Sequence, residues 1–525
     1  MTLRTQVAHG LKWQAIEIVG RQVLSLVVFT ALARLLEPSA FGKVALVGVY
    51  MAFIAMFADQ GIATALVQRL NLKPQHIDAA CWFNLGCAGL LCAGTIVFAD
   101  PVAGLLGDPG LAPLLRWMSP ALVINAISTI YSMLFIKAMD FRRPTIRMLV
   151  GNAVGGMVGV GMAVAHCGVW SLVGQQLAAA LSGAVFLWRA STYRPSLRFS
   201  LLHLRELLGV SSSVFSTSLL WFFSSRLDQV VVGRFAGASA LGLYVIAGKV
   251  PDLAKVVTHE PMARVSLPAL SRLQNERDRL QKAIYSGMEL NAILSFAVFA
   301  GMAAIAPTLV VVLFGSKWAE AGTLCSLLSI YGLVNALQVF FHPSLLASGG
   351  IGRYVLLNVW QAAGSLVACF GGIQLGVKYV VIGLIINNVI VAIPALMFLR
   401  NRIGLSPLKY CKPCLVPACA SLFMVSVLWL LGKALPSGLP AILGLLCQVA
   451  VGAVAYSGFL LLFQRLALIN FISIICSAIS HSTKTGVNTP RPFSPINPIP
   501  AIQQNLRNAG QCLHSHPSNW GEHRR

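Results

Sequence analysis

The chain has 525 residues, of which 57% are hydrophobic and only 10% charged, where soluble domains carry about 25% charged residues. With a mean hydropathy of +0.76, that balance excludes a water-soluble globular protein and defines an integral membrane protein. A formal net charge of +23 would suggest nucleic acid in a soluble chain, so the placement of the basic residues decides what it means.

Apolar segments of roughly 20 residues, the length that crosses a bilayer, predict fourteen transmembrane helices. They fall near 12–34, 43–66, 78–99, 111–136, 146–166, 169–188 and 208–233, then 240–263, 287–313, 321–347, 354–376, 378–399, 414–432 and 440–464. The first carries Glu17 and Arg21 and is wide enough to span, unlike the short apolar region of a cleaved signal. It is expected to stay in the mature protein.

The Lys and Arg residues alternate by side across these crossings. One set of connections, with the tail, holds 27 of them, among them Arg142, Arg143, Arg194, Arg272, Arg279, Arg402 and Lys412. The other set holds 7: Arg34, Lys43, Arg116, Arg234, Lys317, Lys378 and Lys433. Basic loops stay cytoplasmic, so both termini are expected in the cytoplasm. The positive charge is then a topology signal with attraction to anionic membrane lipid, and no nucleic-acid partner is expected.

Landmarks recur about 200 residues apart. Ala33-Arg34 through Ser39-Ala40 and Gly42 align with Gly233-Arg234 through Ser239-Ala240 and Gly242. Asn125-Ala126 matches Asn335-Ala336, Arg143 matches Arg353, and Gly168-Val169 matches Gly376-Val377. A duplication of about six helices returns the chain to the same side, so the repeats are parallel. Such repeats build many secondary transporters. The fold class expected is therefore an all-α polytopic membrane protein with two parallel six-helix repeats around a central cavity and two appended helices. Residues 1–205 and 206–402 form the two lobes, 403–466 the appended pair, and 467–525 a mostly disordered cytoplasmic tail rich in Pro, Asn and Ser. The connection 264–286, with Leu267, Leu270, Leu273, Leu280 and Ile284 among basic residues, fits an amphipathic helix on the inner leaflet or a solvated linker.

The twelve cysteines show no disulfide spacing. The pair Cys411 and Cys414 lacks the second ligand pair that a zinc site needs, so no metal and no cofactor are expected. Gly151, Gly155, Gly156, Gly159 and Gly161 follow no strand and lie in an apolar helix, where small residues let helices approach closely.

Charges inside the spans carry the functional signal, because each costs roughly 2.5 to 3.5 kcal/mol at the bilayer centre unless it faces a partner or a wet cavity. Glu17 and Arg21 lie four apart on helix 1, Asp59 near the end of helix 2, and Arg226 and Asp228 in helix 7. Lys249, Asp252, Lys255 and His259 form one stripe of helix 8. These charges line a pathway between the halves, or pair with one another and hold the halves together.

No catalytic constellation or nucleotide-binding loop is present, and no long external loop of a sugar-polymerising enzyme. An enzyme is not expected. Gly10-Leu11-Lys12-Trp13, Leu32 to Pro38 with Phe41-Gly42, Asp59-Gln60-Gly61, Gly168 to Val173, Gly233-Arg234 with Gly242-Leu243-Tyr244, Pro268 to Gln274, and Phe314-Gly315 with Lys317-Trp318 stand out as short motifs. Together they resemble the polysaccharide flippases of the multidrug/oligosaccharidyl-lipid/polysaccharide exporter superfamily, in particular the Wzx and WzxC-like group.

The resemblance implies a bacterial inner-membrane protein whose cavity opens alternately to each side. Its implied substrate is an undecaprenyl-diphosphate-linked oligosaccharide destined for O-antigen, exopolysaccharide or capsule. The polymerase and the chain-length or export proteins are the implied partners. Arg21, Arg226, Lys249 and Lys255 are candidates to hold the diphosphate. Glu17, Asp59, Asp228 and Asp252 offset those cations and leave coupling to H⁺ or Na⁺ open. The alternatives are an ion-coupled multidrug exporter of the same superfamily and a non-transporting scaffold of a synthesis complex.

Overall fold

The computed structural model describes residues 3–59, 65–66, 73–196, 200–434 and 440–464. Asp59 is helical, but its side chain lies outside the described residues, as does the whole expected tail 467–525. The described secondary structure is entirely helical. Helices α1 (Leu3–Leu35), α2 (Pro38–Asp59) and α3 (Pro74–Val97) lead to the short α4 (Ala99–Leu106) and α5 (Ala112–Met118). Then come α6 (Pro120–Lys137), α7 (Arg142–Val164), α8 (Trp170–Ala190) and the long α9 (Leu201–Arg272). The chain continues with α10 (Arg277–Phe314), α11 (Ala319–Ala336), α12 (Phe341–Ala347), α13 (Ile351–Ile373), α14 (Val377–Ile403), α15 (Pro407–Ala434) and α16 (Ala441–Phe463).

Local chemistry sets the boundaries. Proline opens α2, α3, α6 and α15, where its missing N–H has no intrahelical acceptor to lose. The tight turns before α8 and α14 pass through Gly168 at φ +56° and Gly376 at φ +115°, a repeat-related pair. Thirteen described stretches are long and apolar enough to cross a membrane. One of them, Ser225–Arg272, has 48 residues and at 1.5 Å per residue is about twice the length of one crossing. Gly237, at φ +87°, breaks α9 inside it. Divided there into arms 201–236 and 238–272, α9 supplies two crossings and brings the count to the expected fourteen.

The connection 264–286 is not a separate surface helix. Residues 264–272 end α9 and 277–286 begin α10, and Leu270, Leu280 and Ile284 are buried in a helical core. Its apolar periodicity belongs to two transmembrane helices that extend past their spans and pack on each other.

Glycines set the closest helix contacts. A Cβ at Gly155 would meet the Gln175 carbonyl oxygen at 2.5 Å, and one at Gly156 would meet Val28 at 2.4 Å, so the stripe on α7 seats α8 on one side and α1 on the other. The duplication is written into contacts as well as sequence. A Cβ at Gly42 would lie 1.7 Å from the Ala238 carbonyl oxygen, and one at Gly242 would lie 1.9 Å from that of Pro38. Asn84 Nδ2 donates to Ala126 O at 3.5 Å, and Asn291 Nδ2 donates to Ala336 O at 2.8 Å.

The buried apolar side chains divide unevenly. One cluster joins both parts of the chain, running through Leu32, Phe41, Val47, Leu115, Val232, Ile246, Val310, Phe314 and Trp318. At the end that bears the basic connections the clusters are separate: Ala79, Ile130 and Leu187 belong to the early helices, and Met288, Phe341, Leu399 and Tyr410 to the late ones.

Candidate functional site

Where the shared core stops, charge begins. On α1 the packed face ends at Val28 and Phe29, and on the 238–272 arm of α9 it ends at Val250. The adjoining turns carry Arg21 and Ser25 on α1 and Lys249, Asp252 and Lys255 on α9. Lys249 Nζ donates to Ser25 Oγ at 3.1 Å and stands 4.9 Å from the centroid of the Phe29 ring, a cation–π distance. Arg21 is exposed and within electrostatic reach of Lys249. Two cations from opposite parts of the chain therefore lie within each other's electrostatic reach. They repel each other unless water or an anion lies between them.

A second group lies deeper in the later helices. Tyr244 donates to Asp228 Oδ2 at 2.5 Å, and Arg226 and Lys255 act on the same carboxylate electrostatically. Lys255 also pairs with Asp252 at 3.0 Å and stands 5.5 Å from the Tyr331 ring centroid. Arg226 is exposed and reaches Gln229 Oε1 at 3.5 Å. His259 ends the stripe, with Nδ1 2.8 Å from Thr258 Oγ1 and its ring edge-on to Phe299.

For Glu17 the sequence leaves two readings open, a place in the pathway or a pair with Arg21, and the side chain has a different partner. Its Oε2 accepts from Thr145 Oγ1 on α7 at 3.1 Å, and Arg147 of the same helix lies within its electrostatic reach. Glu17 therefore ties α1 to α7 inside the first repeat, while Arg21, one turn on, stays exposed. Six of the eight candidates thus gather in the two neighbouring groups: Arg21 with Lys249, and Arg226, Asp228, Asp252 with Lys255. Glu17 stands apart, and the Asp59 side chain is outside the described residues. Sequence reasoning missed Ser25 and Tyr244 as site residues, although Ser25 is four residues from Arg21 and Tyr244 is on the same helix as the stripe Lys249, Asp252, Lys255 and His259. Tyr331, on α11, carried no such signal. Among the described residues no group of His, Cys, Asp and Glu could hold a metal ion.

Helices that share a core at one end and present charge between separate cores at the other define a polytopic bundle of the transporter type. The profile of the family described as "Polysaccharide biosynthesis protein" matches residues 31–323, more than half of the chain, and the chain belongs to that family. Among curated relatives, the succinoglycan biosynthesis transport protein ExoT of Rhizobium meliloti (strain 1021) is 27% identical over 465 residues, covering 87% of this chain and 93% of the relative. The lipopolysaccharide biosynthesis protein WzxC of Escherichia coli (strain K12) is 26% identical over 440 residues, covering 82% and 89%. Among solved structures, the lipid II flippase MurJ in its inward closed conformation superposes with a TM-score of 0.71 at 14% identity, covering 86% of this chain and 98% of that one. The resemblance read from the short motifs is borne out, and the fold is that of a multi-pass helical membrane protein.

Proposed function

We propose that the protein translocates undecaprenyl-diphosphate-linked oligosaccharide repeat units across the bacterial inner membrane by alternating access. The observation that carries this reading is the hydrogen bond from Lys249 to Ser25 across the two parts of the chain, with Arg21 within electrostatic reach of Lys249, where the shared core ends. Two cations close to each other suit a diphosphate, and in this reading the sugars pass on their basic-loop side while the prenyl tail stays in lipid. The names of the relatives, which concern succinoglycan, lipopolysaccharide and lipid II, support the substrate class.

In this reading residues 1–205 and 206–402 act as two lobes, with 403–466 as the appended pair, and the basic loops and both termini face the cytoplasm. The polymerase and the chain-length or export proteins act downstream as partners. Asp228, held by Tyr244 and close to Lys255, is the group through which an H⁺ or Na⁺ gradient couples to the cycle. The test is the fate of the lipid-linked repeat unit in cells: loss of the protein should trap it on the cytoplasmic leaflet. Unchanged surface polymer in a clean deletion, with no second flippase present, would remove the proposal.

A further inference from the structure

Helices α1 and α10 end side by side, and each is capped by the other. The last carbonyls of a helix have no partner within it, and cations are favoured there by the helix dipole. At the end of α1, Ala33 O accepts from Trp318 Nε1 at 2.9 Å, and Arg34 O and Leu36 O accept from Lys317 Nζ at 2.9 and 2.6 Å. At the end of α10, Val312 O and Leu313 O accept from Arg34 Nη2 and Nε at 2.6 and 3.0 Å. Trp318 is fully buried and meets Phe41 edge to face at 5.5 Å, whereas Arg34 and Lys317 are exposed.

The repeat-related place is built differently. Gly107 after α4 corresponds to Gly315 after α10, and both have positive φ. There Arg234 lies against Gly107, as its repeat mate Arg34 lies against the end of α10. The positions that match Lys317 and Trp318, however, are Pro109 and Gly110, which offer neither the ammonium nor the indole. The duplication has kept both arginines and armed only one of the two sites.

We infer that Arg34, Lys317 and Trp318 form a latch that holds the end opposite the basic loops shut, and that its release sets how often the cavity opens on that side. The chemistry suits a reversible closure. When the helix ends separate, water replaces the exposed Arg34 and Lys317 on the carbonyls, and only the Trp318 contact must leave an apolar site. The inference rests on the alternating-access reading, but its test needs no substrate.

A single cysteine at Ser25→Cys, in a cysteine-free background, is exposed to a membrane-impermeant maleimide added outside intact cells. Arg34→Ala and Lys317→Ala should raise its labelling rate by about tenfold, the scale expected when charge-assisted hydrogen bonds are lost from one side of a two-state equilibrium. Lys378→Ala, which removes another exposed cation, should leave the rate unchanged. If either alanine variant fails to accumulate, Arg34→Lys keeps the test decisive, because it retains the charge and loses the paired N–H fork and should still label faster than the parent. Unchanged labelling in the Arg34 and Lys317 variants, with the protein inserted at normal level, overturns the latch. Raised labelling with undiminished polymer export in a flippase deletion would sustain the latch and count against the proposed substrate instead.

Discussion

Gly42 and Gly242 occupy each other's interface: Gly42 abuts the carbonyl of Ala238, Gly242 abuts the carbonyl of Pro38, and Pro38 and Ala238 are themselves repeat mates. Two surfaces that match after a duplication meet about a local two-fold axis. Neither position has room for a side chain, since a Cβ would approach a backbone oxygen to within 1.9 Å, and backbone cannot rotate aside.

Gly42→Val and Gly242→Val should therefore be about equally damaging. Each is expected to cost about 1–3 kcal/mol, the range for overpacking a filled contact. The check is thermal unfolding of the detergent-solubilised protein. A fall in Tm for one variant and none for the other would contradict the reciprocal contact.

Lys249→Ala should reduce surface polysaccharide at least tenfold, equivalent to about 1.4 kcal/mol of lost interaction, with the protein inserted and abundant. Lys255→Ala should also reduce it, by a smaller factor, because Lys255 is already paired with Asp252. Polymer yield measured beside membrane abundance checks both. Normal yield from the double variant would show that this stripe of α9 only packs.

The helices were legible because a bilayer demands long apolar runs, and the repeat was legible because its turns need the same glycines twice. The charged stripe from Lys249 to His259 was legible as one face of a helix. What escaped lies between distant segments. Glu17 meets Thr145, 128 residues away, and nothing in one helix's periodicity points to another helix. The segment 264–286 misled for a related reason, since a helix end that packs on its neighbour shows the same amphipathic pattern as a helix lying on lipid.

The swap Glu17→Arg with Arg21→Glu is expected to stay defective. The two charges do not serve as a pair: Glu17 is committed to α7, and Arg21 stays exposed within electrostatic reach of Lys249. Exchange would place a cation beside Arg147 and an anion beside Lys249, about 5.4 Å along the helix from the native arrangement. Cytoplasmic accumulation of lipid-linked repeat unit is the readout, and full rescue of export by the swap would restore the simple pairing account.

Asp78 anchors the segment between the repeats by accepting from Tyr193 Oη, Ser196 Oγ and the Ser196 N–H. Burial, with Asp78 alongside, raises the Tyr193 phenol above its ordinary pKa, so it remains a donor at neutral pH. Asp78→Ala should free residues 191–196 and speed chymotryptic cleavage after Tyr193 in inside-out vesicles; trypsin would not serve, because Pro195 follows Arg194. The loss is expected to be about 1–3 kcal/mol, the penalty for leaving such donors unpaired. An unchanged cleavage rate would mean that other contacts hold the segment.

The central claim is movement of a lipid-linked oligosaccharide from one leaflet to the other. It is tested most directly with purified protein in proteoliposomes that contain a polyprenyl-diphosphate oligosaccharide, by following the sugar accessible to an impermeant glycosidase added outside. With the native protein, accessibility should rise from the outer-leaflet fraction to nearly all of the substrate, and Lys249→Ala should slow that rise markedly. Accessibility that stays at the outer-leaflet fraction, with folded protein and an imposed H⁺ or Na⁺ gradient, would contradict the account.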